Sequence, residues 1–288
     1  MVAAALANPA VRSACTPVVV GPDGTGVSVQ DRVGTWPPTS ADAVAAAGRL
    51  AGAAIERAVQ LAHMGVVQGI VTAPIDKHAL QRGGYDYAGH TEMLAALTGN
   101  ETVMMLASER LRVVLLTTHV ALREVPALVT PERIATVARV TREGLARWFG
   151  LDQPRLALCA LNPHAGDGGR FGREDDDILA PAARATGLAG PLPADTVFVR
   201  AMRGEFDAVI APYHDVGMTA IKVASFGRAV NVTLGLPFPR TSPDHGTALD
   251  IAGRGVADAT SMTEAVLLCA RLAARTTPVE AARTSAGS

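Results

Sequence analysis

The sequence predicts an α/β fold, and three observations support that class. Helical and extended apolar patterns alternate along the chain instead of falling into separate blocks. The 288 residues are 49% hydrophobic and 18% charged, a composition typical of a chain with a substantial core. No internal repeat or low-complexity linker interrupts the pattern. This length fits one large domain or two modest ones.

Charge and cysteine content exclude several classes of protein. Lys and Arg total 26 against 27 Asp and Glu, without the basic excess of a general nucleic-acid binder. Cys15, Cys159 and Cys269 form no CxxC pair, which suits a reducing compartment and gives no disulfide framework. No apolar run approaches the roughly 20 residues of a membrane-spanning helix, and the alanine-rich opening lacks the basic residues of a signal peptide. We therefore expect a cytoplasmic, soluble protein without nucleic-acid or membrane partners.

The first half of the chain contains two predicted helices and three predicted strands. Ser40 is expected to cap a helix with an apolar face from Val44 to Ala62, which ends near Gly65. Thr130 and Pro131 mark the start of a second helix, which ends at Gly150. The apolar runs between these helices predict strands over Val66–Ala73, Val103–Ala107 and Val113–Thr118.

The second half adds three strands and a last helix. Ser261 and Glu264 are spaced as a capping box for that helix. The tail from Thr276 is small and polar, and we expect it to fray. The strands are predicted over Leu156–Leu161, Asp207–Pro212 and Val230–Leu234.

Three of the seven histidines directly follow predicted strands: His119, His164 and His214. In open α/β sheets the carboxyl ends of strands line the ligand crevice, so these imidazoles could meet there. Three of them would bind one divalent metal and leave positions open for substrate. Their spacings of 45 and 50 residues match no local zinc motif, so ordinary hydrogen-bonded histidines are the alternative.

Two further clusters offer donors to an anion. Gly89-His90-Thr91-Glu92 combines close backbone approach with polar side chains, although Thr91 could simply cap a helix. Lys222, Asn231 and Arg240 lie around a predicted strand and together suit an anion clamp. Three solvated surface residues are the alternative interpretation of this second cluster.

Three loop segments carry weaker signals. The glycine-rich loop 165–172 does not match Gly-x-Gly-x-x-Gly, which favours a lid or turn over a dinucleotide cradle. The acidic run 174–177 is typical of a helix start. In the segment 244–255, His245, Gly246 and Thr247 expose backbone donors at a predicted helix start, and Asp250 could accept from ribose hydroxyls. A simple turn and helix is the alternative for this segment.

These segments, in order, resemble the 4-hydroxythreonine-4-phosphate dehydrogenase family, metal- and NAD-dependent enzymes of pyridoxal phosphate biosynthesis. The resemblance covers about three quarters of the chain, from Val66 to the last helix. The motifs that carry it are Val71-Thr-Ala-Pro74 with Lys77, Gly89-His-Thr-Glu92, Thr117-Thr-His119, Leu161-Asn-Pro-His-Ala-Gly166, Gly190-Pro-Leu-Pro-Ala-Asp-Thr196, Tyr213-His-Asp215, Asn231-Val-Thr-Leu-Gly-Leu-Pro-Phe238 and Asp244-His-Gly-Thr-Ala248.

The resemblance implies a role for each candidate residue. It makes the three histidines metal ligands, with the third ligand contributed by the partner subunit of a homodimer. The stretch from His245 to Gly255 also resembles the adenosine-binding loop of isocitrate and isopropylmalate dehydrogenases. The implied substrate contacts are His90, Thr91, Lys222, Asn231 and Arg240; the cofactor contacts are His245, Gly246, Thr247 and Asp250; and the candidate proton acceptors are Asp215 and Lys222.

The resemblance also implies a reaction and an architecture. The 3-hydroxyl of 4-phosphohydroxy-L-threonine, or of a related 4-phosphorylated hydroxy acid, is oxidised by NAD, and decarboxylation follows. Arg254 near Asp250 keeps NADP open, and the metal would be zinc, cobalt, manganese or magnesium. Two α/β/α domains flank a cleft, as in isocitrate and isopropylmalate dehydrogenases. Residues 1–92 with 228–288 would form the first domain, and residues 93–227, with the metal ligands and dimer contacts, the second.

The chain departs from the family pattern at its start. The family opens with a strand and a Gly/Pro-rich turn, whereas this sequence begins in the helix that would follow, at Ala5-Leu-Ala-Asn-Pro9. We therefore expect an N-terminally shortened member with an unpaired sheet edge. Val216 also stands where a polar residue is common. The alternatives are a relative acting on D-threonate or D-erythronate 4-phosphate or on an aromatic dicarboxylate dihydrodiol, a metal hydrolase, or a non-catalytic metal- or phosphate-binding protein.

Overall fold

The computed structural model describes residues 1–36 and 42–275, and it confirms the α/β class. The helices are α1 Val2–Ala7, α2 Pro9–Ala14, α3 Ala43–His63, α4 Lys77–Arg82, α5 His90–Thr98, α6 Val125–Leu128, α7 Pro131–Phe149, α8 Ala180–Thr186, α9 Ala194–Met202, α10 His214–Ser225 and α11 Thr260–Ala273. The strands are β1 Val20–Asp23, β2 Asp31–Thr35, β3 Ile70–Val71, β4 Val103–Ala107, β5 Arg112–Leu115, β6 Leu156–Cys159, β7 Ala189–Leu192, β8 Ala208–Ala211, β9 Val230–Leu234 and β10 Arg240–Pro243.

Eight of the strands form one mixed sheet in the order β3-β10-β9-β4-β5-β8-β6-β7. Strands β5, β8, β6 and β7 run parallel to one another, so their carboxyl ends share one edge of the sheet. Strand β4 is antiparallel to both β5 and β9, and β9 is antiparallel to β10. Strands β1 and β2 form a separate parallel pair.

Helices cover both faces of the sheet because its central strands β4, β5, β6 and β8 are almost entirely apolar and buried. Val114 packs into one core with α7 and α11, whereas its neighbours Val113 and Leu115 pack into another with α9 and α10. The same alternation separates Leu158 from Ala157 in β6. A period of two along each strand thus builds a three-layer helix–sheet–helix arrangement.

The predicted domain division falls within this sheet. Strands β3, β9 and β10 come from the segments 1–92 and 228–288, and β4 to β8 come from 93–227. The two groups meet at the antiparallel pairing of β9 with β4. The division into two domains stays a prediction.

Several elements have the bounds that the sequence predicts. Strands 103–107 and 230–234 coincide residue for residue, and α7 begins after Thr130, whose hydroxyl accepts from the Arg133 N–H. The strands predicted over 113–118, 156–161 and 207–212 are present and are each two residues shorter, with four residues instead of six. The predicted fraying of the tail from Thr276 concerns residues outside the described part of the chain.

Three local predictions need correction or fall outside the description. Only Ile70–Val71 of the predicted strand 66–73 is a strand, and Val66 is 56% exposed. The capping box is wrong, because the hydroxyl of Ser261 accepts from the backbone of Asp244. Asp258 instead accepts from the N–H of Thr260, where α11 begins. Ser40 lies outside the described residues; α3 begins after Asp42, which accepts from the N–H of Ala45.

Strand β3 is an edge of the eight-stranded sheet, and a large cavity lies beside it. The N–H of Ile70 donates to the carbonyl of Pro239, just before β10, and the N–H of Thr72 donates to the carbonyl of Thr241 in β10. The backbone N–H and C=O of Val71, between them, therefore point away from the sheet. The cavity measures about 670 Å³, and its largely apolar wall includes Ile55 and Val71. His90 also lines this cavity.

Candidate active site

His119 and His214 lie together at the carboxyl-terminal edge of the sheet. Strands β5 and β8 are parallel neighbours; His119 follows β5 by four residues, and His214 begins α10 three residues after β8. The centroids of the two imidazole rings are 5.5 Å apart. This separation lets the two rings approach one cation from adjacent positions.

His164 does not join this pair within one chain. It lies in a short 3₁₀ segment after β6, Pro163–Gly166, is exposed, and has a left-handed φ of 54°. Within residues 1–36 and 42–275, no three His, Cys, Asp or Glu side chains come close enough together to hold a metal ion. A single chain therefore brings two of the three predicted metal ligands to one place.

The orientation of His214 and the protonation of His119 suit metal binding. The Nδ1 of His214 lies 2.7 Å from Oδ1 of Asp215, which leaves Nε2 directed elsewhere. Carboxylates fix the rings of metal-binding histidines in this way. Burial lowers the pKa of His119, and the charges of Lys77 and His214 lower it further. The neutral imidazole that a metal requires is thereby favoured.

Lys222 and Asp244 form an ion pair beside the histidines. Lys222 lies two turns after His214 on α10, and its Nζ is 3.4 Å from Oδ2 of Asp244. The Asp244 side chain is only 16% exposed. Burial raises the pKa of Asp244, while Lys222 and the two nearby histidines His245 and His214 partly oppose that shift. The contact ties the loop after β10 to α10.

Arg240 is a buried cation at the other side of the site. It is 2% exposed, with Nη1 donating to Thr233 at 2.9 Å and Nη2 to Thr72 at 2.5 Å. Its Nε is buried without a partner. Burial lowers its pKa to about 10, so it remains charged at neutral pH. No carboxylate in the described part of the chain forms an ion pair with it, and a charge buried in this way is costly until an anion compensates it.

His90 and Asn231 line the same region as Arg240. His90 is the first residue of α5, and burial together with the charge of Arg240 lowers its pKa to about 3. The partly buried Thr91 follows it. Asn231 shares a face of β9 with Thr233, and its Oδ1 is buried without a partner. The region thus holds an unpaired donor on Arg240 and an unpaired acceptor on Asn231.

Two charged residues of the site, Glu92 and Lys77, have no function predicted from the sequence. The charge of Glu92 opposes the lowering of the pKa of both His119 and Arg240, so this carboxylate acts on the histidine pair and on the guanidinium. The positive charge of Lys77, the first residue of α4, instead lowers the pKa of His119. Both belong to motifs already noted, but their spacing gives no sign that they converge.

The predicted cofactor residues lie in an exposed loop between β10 and α11. His245, Gly246, Thr247 and Asp250 are all exposed, and Nδ1 of His245 lies 2.9 Å from the carbonyl oxygen of Gly246. The helix start expected there is only a 3₁₀ turn, Leu249–Ile251, and α11 begins at Thr260. The loop lies next to the histidine pair through Asp244.

The acidic run 174–177 starts a helical segment, as expected, and also has a second role. Asp175 is fully buried, and its two carboxylate oxygens accept from the backbone N–H groups of Leu161 and Asn162 at 2.8 and 2.9 Å. The glycine-rich loop 165–172, which precedes this run, is a turn with several residues in left-handed conformation. Asp175 therefore fixes the loop that carries His164.

Comparison with known proteins gives consistent relatives. The profile of the family described as "Pyridoxal phosphate biosynthetic protein PdxA" matches residues 15–269. The 4-hydroxythreonine-4-phosphate dehydrogenase of Xanthomonas campestris pv. campestris (strain B100) is 50% identical over 249 residues, 85% of this chain and 75% of the relative. A Bradyrhizobium diazoefficiens protein, provisionally named as a D-threonate 4-phosphate dehydrogenase, is 50% identical over 244 residues, 79% of this chain and 70% of its own.

The crystal structure of a 4-hydroxythreonine-4-phosphate dehydrogenase from Burkholderia phymatum superposes with a TM-score of 0.77. It is 38% identical, and the match covers 94% of this chain and 93% of that one. No helix of the described residues has the length and apolar character needed to cross a bilayer. Taken together, the profile, the relatives and the fold show that the chain belongs to the PdxA family of dehydrogenases and is an oxidoreductase.

Proposed function

We propose that the chain oxidises the 3-hydroxyl of 4-phosphohydroxy-L-threonine with NAD, after which the product loses its carboxylate as carbon dioxide. The buried guanidinium of Arg240 carries this proposal. Its unpaired Nε and its positive charge, which no ion pair among the described residues neutralises, suit a phosphate that Arg240 and His90 would hold at one end of the site. The substrate hydroxyl would then lie toward the histidine pair.

A divalent cation would be held by His119 and His214, with His164 of the partner subunit of a homodimer as third ligand. The ring separation of 5.5 Å and the neutral state favoured at His119 support this assignment. Zinc, cobalt or manganese suits such imidazole ligands, whereas magnesium prefers oxygen. When bound, the cation would supply Lewis acidity at the substrate hydroxyl, and a nicotinamide would accept the hydride.

The chain's own residues would bind and orient the substrate and would move a proton. Asp215 keeps the His214 ring oriented, so Lys222 is the better candidate to take the proton of the 3-hydroxyl. Lys222 would act as the neutral amine, and Asp244 would hold in place the ammonium that forms when the proton is taken. Asn231 would accept from a substrate donor, and Thr91 would assist at the phosphate. The exposed loop with His245, Gly246, Thr247 and Asp250 would receive the adenosine of NAD or NADP.

The test is the appearance of NADH at 340 nm with purified protein, NAD, a divalent metal and a panel of substrates. We expect activity with 4-phosphohydroxy-L-threonine that needs both the phosphate and the metal and is lost in His164→Ala. D-Threonate 4-phosphate is the second candidate substrate, because a relative at 50% identity bears that name. Equal rates on substrates without phosphate would rule out the assignment of Arg240.

A metal hydrolase or a non-catalytic binding protein would give a different result. Either would bind metal yet release no NADH with any member of the panel. We further propose that the enzyme works in the cytoplasm, since the described residues carry three free thiols, Cys15, Cys159 and Cys269.

A further inference from the structure

A second cavity of about 500 Å³ lies at the opposite end of α10 from the candidate active site. His214 begins this helix and Ser225, which lines the cavity, ends it. Eleven steps along an α-helix correspond to about 16 Å. The ends of α7 and α11 complete the wall. The cavity is therefore separate from the residues assigned to catalysis.

Three residues that line this cavity each have a buried donor atom without a hydrogen-bond partner. They are Nε of Arg112, Nε1 of Trp148 and Oγ of Ser225, and they come from three different elements. Trp148 is 1% exposed and Ser225 is 9% exposed. Buried donors in native proteins are almost always paired, because an unpaired one forfeits its hydrogen bond to water. A ligand for this cavity must bring acceptor oxygens.

The charge around the cavity has the sign that such a ligand requires. Five arginines and two glutamates line it, a formal charge of +3. This positive excess is larger than the roughly half unit of negative charge that the helix dipole places at the carboxyl end of α10. The lining charged residues are Arg110, Arg112, Arg228, Arg271 and Arg275, with Glu109 and Glu264.

The contacts of these arginines leave most of that charge available. Arg112 donates through Nη1 to the carbonyl of Asp207, and Arg275 donates through Nη1 to the carbonyl of Phe149. Both acceptors are uncharged backbone groups. The carboxylate of Asp207 does act on Arg112, but it is itself paired with Arg155. Burial remains the first influence on Arg112 and lowers its pKa.

We propose that this cavity binds a small phosphorylated molecule, with the phosphate against Arg112, Trp148 and Ser225. A tetrahedral phosphate offers enough oxygens for donors on three elements, and its negative charge matches the positive surplus of the lining. The volume exceeds that of a phosphate alone and falls in the range of small-molecule sites, so an organic portion would lie against Phe149, Leu268 and Leu272. This inference does not depend on the proposed reaction.

The indole N–H signals of the protein give a direct test with inorganic phosphate as the probe. The chain contains two tryptophans, so Trp36→Phe leaves Trp148 as the single indole resonance. We expect that resonance to shift saturably as phosphate is added, and not to shift with sodium chloride of equal ionic strength. A resonance that ignores phosphate, or moves equally with chloride, would overturn the proposal.

Variants then locate the response. Arg228→Gln and Arg271→Gln each remove one lining charge from an exposed side chain and should weaken phosphate binding about tenfold. Arg203→Gln, an exposed arginine beyond α9, is the matched control and should bind phosphate unchanged. Arg240→Gln should retain the Trp148 response, because Arg240 belongs to the other site. An unchanged affinity in both lining variants, with native circular dichroism, would contradict the assignment.

Discussion

Burial of the Arg240 charge lowers the stability of the fold, whereas the same charge is proposed to bind the substrate phosphate. Its guanidinium is buried and bonded only to threonine hydroxyls, Thr233 and Thr72, among the described residues. Methionine has a similar length and no charge. We expect Arg240→Met to leave the melting temperature unchanged or raise it, because a buried charge without a carboxylate partner is removed. The same change should raise KM for the phosphorylated substrate about 100-fold, since several charge-assisted bonds are lost.

Thermal unfolding and steady-state kinetics on the same preparation check this prediction, with Arg203→Met as the matched surface control. A large fall in melting temperature with unchanged KM would mean that Arg240 is a structural residue.

His90 should make stability depend on pH in a defined direction. Burial and Arg240 lower its pKa from 6.5 to about 3 in the folded protein. Between these values the unfolded chain binds a proton that the folded chain does not. The contribution of His90 to stability is therefore complete above about pH 6.5 and is lost as the pH falls toward 3, by up to about 1.4 kcal/mol per pH unit.

His90→Asn should flatten that acid limb, as measured by urea unfolding from pH 7 to pH 4. His78→Asn, at an exposed position on α4, is the control and should keep the wild-type slope. Parallel curves for wild type and His90→Asn would show that the pKa of His90 is not depressed.

Residue types predicted the site only where chemistry and topology coincide. A histidine after each of two parallel strands was enough to expect a common edge, and His119 and His214 do meet there. The same rule does not predict that Glu92 and Asp244 belong to the site, because neither follows one of these strands: Glu92 lies on α5 and Asp244 in the loop after β10. For Asp175 the sequence indicates only a helix start, since nothing local reveals that its carboxylate accepts a hydrogen bond from a backbone N–H thirteen residues earlier.

At the scale of elements, helices α3 and α4 cross where neither tolerates a side chain. A Cβ added to Gly48 would lie 1.7 Å from the carbonyl oxygen of Ala79, and one added to Gly83 would meet the backbone of Gly48 at 2.4 Å. Backbone cannot move aside as a side chain can. We expect Gly48→Ala to lower the free energy of unfolding by at least about 3 kcal/mol.

Gly144 on α7 provides the matched comparison for this prediction. There the nearest atom to an added Cβ is the Leu234 Cδ2 at 2.9 Å, the flexible end of a side chain. The helix propensity of alanine offsets much of that contact, so Gly144→Ala should stay within about 1 kcal/mol of wild type. Urea unfolding measures both, and equal losses would show that α3 and α4 can separate at little cost.

Period and burial explain which elements the sequence could predict. In central strands such as β4 and β9 most residues are apolar and β-branched or long, and the pattern predicts their ends to the residue. The run 66–73 has the same composition, but it lies at the sheet edge, where only Ile70–Val71 pairs with β10. Composition does not distinguish a central strand from an edge segment, because pairing depends on neighbours distant in the chain.

At the scale of the whole molecule, the proposed metal site requires two chains. His119 and His214 lie together, while His164 is exposed on a loop held by Asp175. If the partner subunit supplies His164, each site of a homodimer takes two histidines from one chain and one from the other. Two inactive variants can then restore one intact site in a hybrid dimer.

We expect hybrid dimers of His164→Ala and His214→Ala chains, purified through two different tags, to have about half of the wild-type activity and half of its bound metal. One site receives both its paired histidines from the His164→Ala chain and its third ligand from the His214→Ala chain. Hybrids of His119→Ala with His214→Ala are the matched control and should be inactive, because each site loses one of its paired histidines. A His164→Ala/His214→Ala hybrid as inactive as that control would show that each chain builds its metal site alone.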